Sequence, residues 1–209
     1  MKTLILSSVI SAAIFFATCN NSNTNNAHEG HDMSNMPADS GNKTEMPVAD
    51  VKVSAVTYTN VDAKAAVSIN HIVQHYLHVK NALANDNASE AANGAAAIVE
   101  TMHKLDKSLL TAEQKTAYDA IEESLMEDAE HISKKSDDIK HQRFHFSTMS
   151  DAMYNLVRDF GAGQPIYHDH CPMYNEKQGA IWLSEVKEIK NPFYGSEMPT
   201  CGKLEEVIK

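Results

Sequence analysis

The apolar residues between Asp62 and Phe160 recur at intervals of three and four, the spacing that places side chains on one side of an α-helix. The pattern divides into four stripes separated by short polar breaks. The first stripe, within about Lys64 to Ala84, consists of Ile69, Ile72, Tyr76, Val79 and Leu83. Four amphipathic helices with short connections predict an all-α fold, a four-helix up-down bundle.

Capping residues predict where the helices begin and end. Asn87 can cap the second helix, and Thr111–Gln114 has the composition of a capping box for the third. Either Ser136 or Asp137 can cap the fourth helix, and Gly161 follows its last apolar residue. The bundle is therefore predicted to occupy the region before Gly161, with short links between its helices.

The helical period stops at Gly163, and a small irregular tail with short strands is predicted after it. Extended segments are expected near Pro165–Tyr167 and Ala180–Leu183, whereas Leu204–Ile208 fits either a last short strand or a helical turn. Turn residues separate these segments at Asn175–Gly179 and Asn191–Gly195. Residues 63–209 are thus predicted to form one domain, a helical bundle followed by this tail.

The N-terminus has the features of an export signal. A short positive start precedes an apolar run, Leu4–Phe16, which is too short for a membrane-spanning helix of about 20 residues. The run ends in Phe16-Ala17-Thr18-Cys19, which is similar to a bacterial lipoprotein signal. We expect residues 1–18 to be the signal peptide and Cys19 to carry lipid, placing the protein in the periplasm or cell envelope on a membrane. A plain secretory signal cut nearby is the alternative.

Residues 19–62 are predicted to be a disordered linker, because large apolar residues are nearly absent before Val48. A cluster of histidine and methionine lies within it: His28, His31, Met33 and Met36. Imidazole and thioether groups on a flexible chain can wrap around a cation weakly and reversibly. The cluster is predicted to be a secondary weak metal tract, and the alternative is a polar spacer that happens to contain histidine.

Composition narrows the classes of function. The 209 residues carry a formal net charge of -10, with a pI near 5.5, so the chain lacks the basic surface expected of a nucleic-acid partner. The sequence contains no Ser-His-Asp signature, no phosphate-binding loop and no His-Glu-x-x-His zinc motif. We therefore expect a binding protein and not an enzyme.

The tail concentrates residues that bind soft metal ions. Cys171 and Met173 follow two histidines, and Met198 precedes Cys201 by three residues. Thiolate, thioether and imidazole are the ligands that Cu(I) prefers, and this set predicts a Cu(I) site. The predicted ligands are Cys171, Cys201, Met173, Met198, His170, His168 and, as an extra ligand from the helix leading into the tail, His145. The alternative is a Cys171–Cys201 disulfide, which an exported protein can form.

The histidines of the first three helices are expected to be boundary or surface residues. His71, His75 and His78 lie one position away from the apolar stripe of the first helix. His103 and His131 are isolated in the sequence and are predicted to be solvated.

Several motifs resemble those of domain-of-unknown-function family 3347, over about Ile69 to Ile208. They are Tyr76–Leu83, His141–Phe146, Ser150–Tyr154, Cys171–Met173, Gly179–Ser184, Ile189–Gly195, Met198 and Cys201-Gly202. Members of that family occur as small exported lipoproteins and at the C-terminus of adaptor subunits of copper and silver efflux pumps. The resemblance implies periplasmic copper handling or resistance, with a metal ion, a membrane and an efflux adaptor as partners. The alternative is a structural module that docks to an efflux adaptor and contains the disulfide.

Overall fold

The computed structural model describes residues 51–209 of the chain. The predictions for residues 1–50 therefore lie outside the described residues: the signal peptide, Cys19, and the tract His28, His31, Met33 and Met36. Four long helices are observed: α1 (Ala63–Ala84), α2 (Ala88–Lys104), α3 (Ala112–Ser133) and α4 (Ile139–Phe160). Four strands accompany them: β1 (Lys52–Ser54), β2 (Ile166–Cys171), β3 (Ala180–Ser184) and β4 (Lys203–Ile208).

The four long helices begin at side-chain caps, two of them at the predicted residues. Asn87 accepts a hydrogen bond from the Glu90 amide, and Thr111 and Gln114 form a reciprocal capping box. The fourth helix is capped by Asp138, one residue after the predicted positions, with its carboxylate accepting from the His141 amide at 3.0 Å. Each cap satisfies amides that the helix itself leaves without a partner.

The predicted apolar stripes are buried where the helices meet. Helix α1 contacts α2 and α4, and α3 contacts α2 and α4. Tyr76 and Phe146 stack at a ring-centroid distance of 5.1 Å in the centre of this core. The mostly helical fold is confirmed, while the up-down order of the helices stays a prediction. Among the described residues, no helix is both long and apolar enough to cross a membrane.

The tail is more regular than predicted, because its strands form one sheet with the order β1-β4-β2-β3. Strand β2 pairs antiparallel with β3 and β4, and β1 pairs parallel with β4. The strand β1 comes from the region predicted to be linker. The domain therefore begins before the predicted boundary at residue 63, and the linker prediction is wrong for residues 51–62.

Residues after β1 are also held on the domain. The amides of Thr57 and Tyr58 donate to carbonyl groups at the end of α4, at 2.9 and 2.8 Å. Val56, Tyr58 and Val61 pack against the core. These contacts depend on partners far along the chain, so a local reading of a short polar segment could not reveal them.

Polar side chains of α1 attach the sheet to the bundle. The Tyr76 hydroxyl lies 2.8 Å from Ser150 Oγ and accepts from the Leu183 amide at 3.0 Å. Lys80 is fully buried and pairs with Glu185 at 2.9 Å, and Asn81 donates to the same carboxylate at 2.8 Å. The end of β3 is therefore held against α1 by bonds that a displaced tail would leave unpaired.

Candidate metal centre

Two cysteine sulfurs meet beside the end of β2. Cys171 is the last residue of β2, and Cys201 lies two positions before β4. Because His170 pairs with Lys203 in the antiparallel β2–β4 ladder, the two cysteines are brought together. Their Sγ atoms are 3.5 Å apart, within hydrogen-bond distance, with no disulfide bond between them. Cys171 is buried and Cys201 is half-buried.

The loop before Cys201 is organised by the buried side chain of Asn191. Its amide donates to the Cys201 carbonyl at 2.5 Å, and its oxygen accepts from the amides of Phe193 and Tyr194 at 2.7 and 3.1 Å. The backbone N–H of Asn191 also donates to the Pro199 carbonyl at 2.9 Å. Asn191 thus closes the loop on itself and sets the position of Cys201.

Aromatic rings surround this loop. Phe193 stacks on Tyr174 at 4.3 Å and meets the edge of Trp182 at 6.0 Å, measured between ring centroids. The Tyr194 hydroxyl donates to the Met173 carbonyl at 3.0 Å. Burial, together with the two nearby cysteines, raises the pKa of Tyr194. The sulfur pair therefore lies in a largely apolar setting.

The protonation of the thiols follows from this setting. Burial, and after it the hydrogen bond and charge of Cys171, raise the pKa of Cys201 above its ordinary value. A thiol with a raised pKa is protonated near neutral pH, and only the thiolate ligates metal ions. Metal binding here would therefore release protons.

The spacing of the sulfurs fits a shared ion. Metal–sulfur bonds are about 2.3 Å long, so two sulfurs on one ion lie no more than about 4.6 Å apart. The observed 3.5 Å is within this limit. The same distance suits a disulfide. The two sulfurs are therefore as close as the metal-site prediction and the disulfide prediction both require.

The two methionines flank the pair in the chain. Met173 follows Cys171 by two residues, and its side chain is exposed. Met198 is half-buried, and its carbonyl accepts from the Cys201 amide at 3.2 Å. A methionine therefore lies near each cysteine in the sequence, one of them open to solvent.

The histidines of β2 lie away from the sulfurs. Adjacent strand residues point to opposite faces of a sheet, so His170 faces away from Cys171. His170 Nδ1 lies 3.5 Å from a carboxylate oxygen of Glu205, and the ring of His168 packs on Tyr154 at 4.7 Å. This geometry corrects the prediction that His168 and His170 bind metal together with the cysteines. The extent of strand β2 had to be known before the faces of its residues could be assigned.

His145 belongs to a different cluster. Its Nδ1 lies 2.8 Å from Asp128 Oδ1, and its ring packs against His131 and His141. The assignment of His145 to the cysteine site is therefore corrected. His131 and Asp128, on α3, were missed as candidates. The sequence did contain a signal, because α3 and α4 form a hairpin and His131 stands close to its turn.

Asp169 is a fully buried carboxyl group in β2, two residues before Cys171. Burial raises its pKa to about 7, partly opposed by the charge of Lys80. Neither carboxyl oxygen has a hydrogen-bond partner among the described residues. Asp169 precedes Cys171 by two positions and therefore faces the same side of β2.

One family model, described as "Protein of unknown function (DUF3347)", matches residues 72–165. The match supports the resemblance inferred from the sequence motifs. It extends from α1 to the residue before β2 and ends before Cys171. No curated protein and no solved structure matches the chain.

Proposed function

We propose that the protein binds copper as Cu(I) through Cys171 and Cys201 and takes part in metal handling or resistance in the cell envelope. The observation that carries the proposal is the 3.5 Å approach of the two sulfurs within a loop held by Asn191. Two soft ligands in an apolar setting suit a soft monovalent ion better than Mg²⁺ or Ca²⁺, which prefer oxygen. Copper is the cargo in this proposal, and no catalytic step is involved.

The methionines have a supporting role in the proposal. Met173 is exposed and follows Cys171 by two residues, so we expect its thioether to pass an ion between the cysteines and a partner. Met198 supplies a second thioether on the other chain segment. The proposed partner is an efflux adaptor, for which the support is the family resemblance.

A test of the proposal is competition for Cu(I) against a chromogenic chelator, under anaerobic conditions. We expect Cys171→Ser and Cys201→Ser to lose most of the affinity, and Met173→Leu and Met198→Leu to lose less. Met126→Leu is the matched control, because Met126 is a half-buried methionine on α3 that packs against the core. Unchanged affinity in both cysteine variants would contradict the copper proposal.

The second candidate is an interaction module with a Cys171–Cys201 disulfide. The same 3.5 Å distance favours it, since thiols this close in an exported protein oxidise readily. Protein purified anaerobically without reductant distinguishes the two: the copper proposal predicts two reactive thiols in the folded domain after metal removal. The disulfide predicts none, and a loss of about 2–5 kcal/mol of stability on reduction.

Membrane attachment through Cys19 is part of the proposed function. Its support is the apolar run that ends at this residue. Cys19→Ala should release the protein into the soluble fraction, because bacterial lipoproteins depend on their acyl chains for attachment. Membrane fractionation that stays the same in this variant would contradict the anchor.

A further inference from the structure

Three histidines converge where α3 and α4 meet. His131 lies in the last turn of α3, and His141 and His145 lie one turn apart near the start of α4. Residues four apart share one side of a helix, so the α4 pair faces the same neighbour. The hairpin between the helices brings His131 onto that pair.

The three imidazole rings are close enough together for their nitrogens to bind one metal ion. The ring centroids of His131 and His145 are 4.2 Å apart, those of His141 and His145 are 4.6 Å apart, and those of His131 and His141 are 5.8 Å apart. One nitrogen from each ring lies within 4.8 Å of the others. Metal–nitrogen bonds are about 2.0–2.1 Å long, so ligand nitrogens lie up to about 4.2 Å apart. Side-chain rotations that bring the farthest nitrogens roughly 1 Å closer would allow all three to bind one ion.

Asp128 positions one of these rings. Its Oδ1 lies 2.8 Å from His145 Nδ1, and the side chain is only 9% exposed. A histidine that donates from Nδ1 to a carboxylate presents the lone pair of Nε2 to a metal ion, an arrangement that recurs around protein metal sites. The nearly buried Asp128 carboxylate can therefore hold the His145 ring in the orientation that metal binding needs.

His141, the other histidine of the cluster on α4, has a ring nitrogen that makes no structural hydrogen bond among residues 51–209. His141 Nε2 is buried and has no hydrogen-bond partner within residues 51–209. Its neighbours in the sequence are different. Gln142 donates to the carbonyls of Ala88 and Ile132, and Arg143 donates to Pro192 and Leu83. Those two residues join structural elements, whereas His141 leaves a ligand atom unused.

We propose that His131, His141 and His145 bind one divalent ion of the kind that prefers imidazole, Zn²⁺ or Cu²⁺. Three neutral imidazoles with a supporting carboxylate suit these ions, and their donors differ from those of the Cys171–Cys201 pair. The side chain of His131 is 47% exposed, so water or an outside ligand can reach the fourth position of the ion. The proposal stands apart from the proposed copper function.

The test is calorimetric titration of Zn²⁺ into the full chain and variants that each change one imidazole. His131→Asn and His145→Asn should lose one equivalent of Zn²⁺, or at least about tenfold in affinity at that equivalent. His71→Asn is the matched control, because His71 is an exposed histidine on α1 that does not belong to the His131–His141–His145 cluster. His131 is exposed, so its variant is expected to fold normally.

The supporting role of Asp128 has its own measurements. Asp128→Asn should weaken the same equivalent about 10- to 100-fold while the metal-free melting temperature stays close to that of the unchanged chain. With Cu²⁺, electron paramagnetic resonance should show coupling to several imidazole nitrogens, reduced in His131→Asn and unaltered in His71→Asn. Cys171→Ser should keep the equivalent, which separates this test from that of the copper function. Equal Zn²⁺ binding by the unchanged chain, His131→Asn and His145→Asn would overturn the proposal.

Discussion

The sulfur pair and the imidazole cluster are built in opposite ways. Cys171 and Cys201 meet because a sheet closes and a loop folds back, and Asn191 and aromatic rings cover them. The histidines meet because two consecutive helices turn back on each other, and one ring stays open to water. The first arrangement therefore depends on long-range folding of the tail, and the second on one helical hairpin.

Hydrogen bonds distinguish two kinds of residue within the family motifs: those that hold the fold together and those that are candidate metal ligands. Tyr76, Gln142 and Arg143 form hydrogen bonds that join separate elements, and Asn191 forms those that close the loop before Cys201. The cysteines and the three histidines form few such bonds. The family motifs contain both kinds of residue side by side, whereas the contacts divide them into those that hold the fold and those that have unused ligand atoms.

The largest expected effect on the tail comes from Asp169. Its folded-state pKa is about 7, above the ordinary value of 3.8, so its ionisation destabilises the folded state. Its contribution to stability is full below pH 4 and is lost as pH rises towards 7, a change of up to about 4 kcal/mol. Asp169→Asn should therefore be more stable than the unchanged chain at pH 8, and the gain should shrink towards pH 4.

Urea denaturation at both pH values checks this expectation. Asp137→Asn, at an exposed position, is the matched control and should show no comparable gain. A stability gain of Asp169→Asn that is equal at pH 4 and pH 8 would contradict the argument from burial.

Asn191→Ala should separate the two regions most clearly. It removes three side-chain hydrogen bonds in a buried loop, each contributing about 1 kcal/mol, so we expect a loss of about 3 kcal/mol. Cu(I) affinity should fall because Cys201 is no longer held, while Zn²⁺ binding by the three histidines should be unchanged. Denaturation and both metal titrations measure this, with Asn155→Ala, at an exposed position on α4, as control. Equal loss at both sites would show that they are coupled.

A smaller effect is expected in the turn between Met173 and β3. Asn175, Glu176 and Lys177 all have positive φ, a conformation that disfavours side chains other than glycine. Glu176→Gly relieves one of these positions and should stabilise the domain by about 1 kcal/mol, because glycine adopts positive φ without steric cost. Thermal denaturation checks the result. The same change at exposed Glu188 should be neutral or slightly destabilising, and stabilisation at both positions would contradict the account.

The smallest effect on the folded domain is expected from the linker. Deleting Ala27–Met46 should lower the number of copper ions bound in excess copper, because the tract His28–Met36 is removed. The metal-free melting temperature should change little, since a tract of this polar composition is predicted to be disordered. Unchanged stoichiometry would mean that the tract is only a spacer.

Much of this molecule could be predicted from the sequence because helices are local. A stripe of apolar residues and a capping side chain depend only on neighbours three or four positions away. The helices, the capping box at Thr111–Gln114 and the stop at Gly161 were therefore predicted closely. The approach of the cysteines was also anticipated, from matched segments in the tail.

Only the tertiary structure decided which chemistry-bearing residues share a site. The alternation of side chains along β2 turns His170 away from Cys171, and the register of β2 with β4 places Cys171 beside Cys201. The α3–α4 hairpin brings His145 next to His131 and Asp128. Strand β1 pairs with β4, which lies at the other end of the domain sequence. Such contacts join residues distant in sequence, and spacing along the chain carries no record of them.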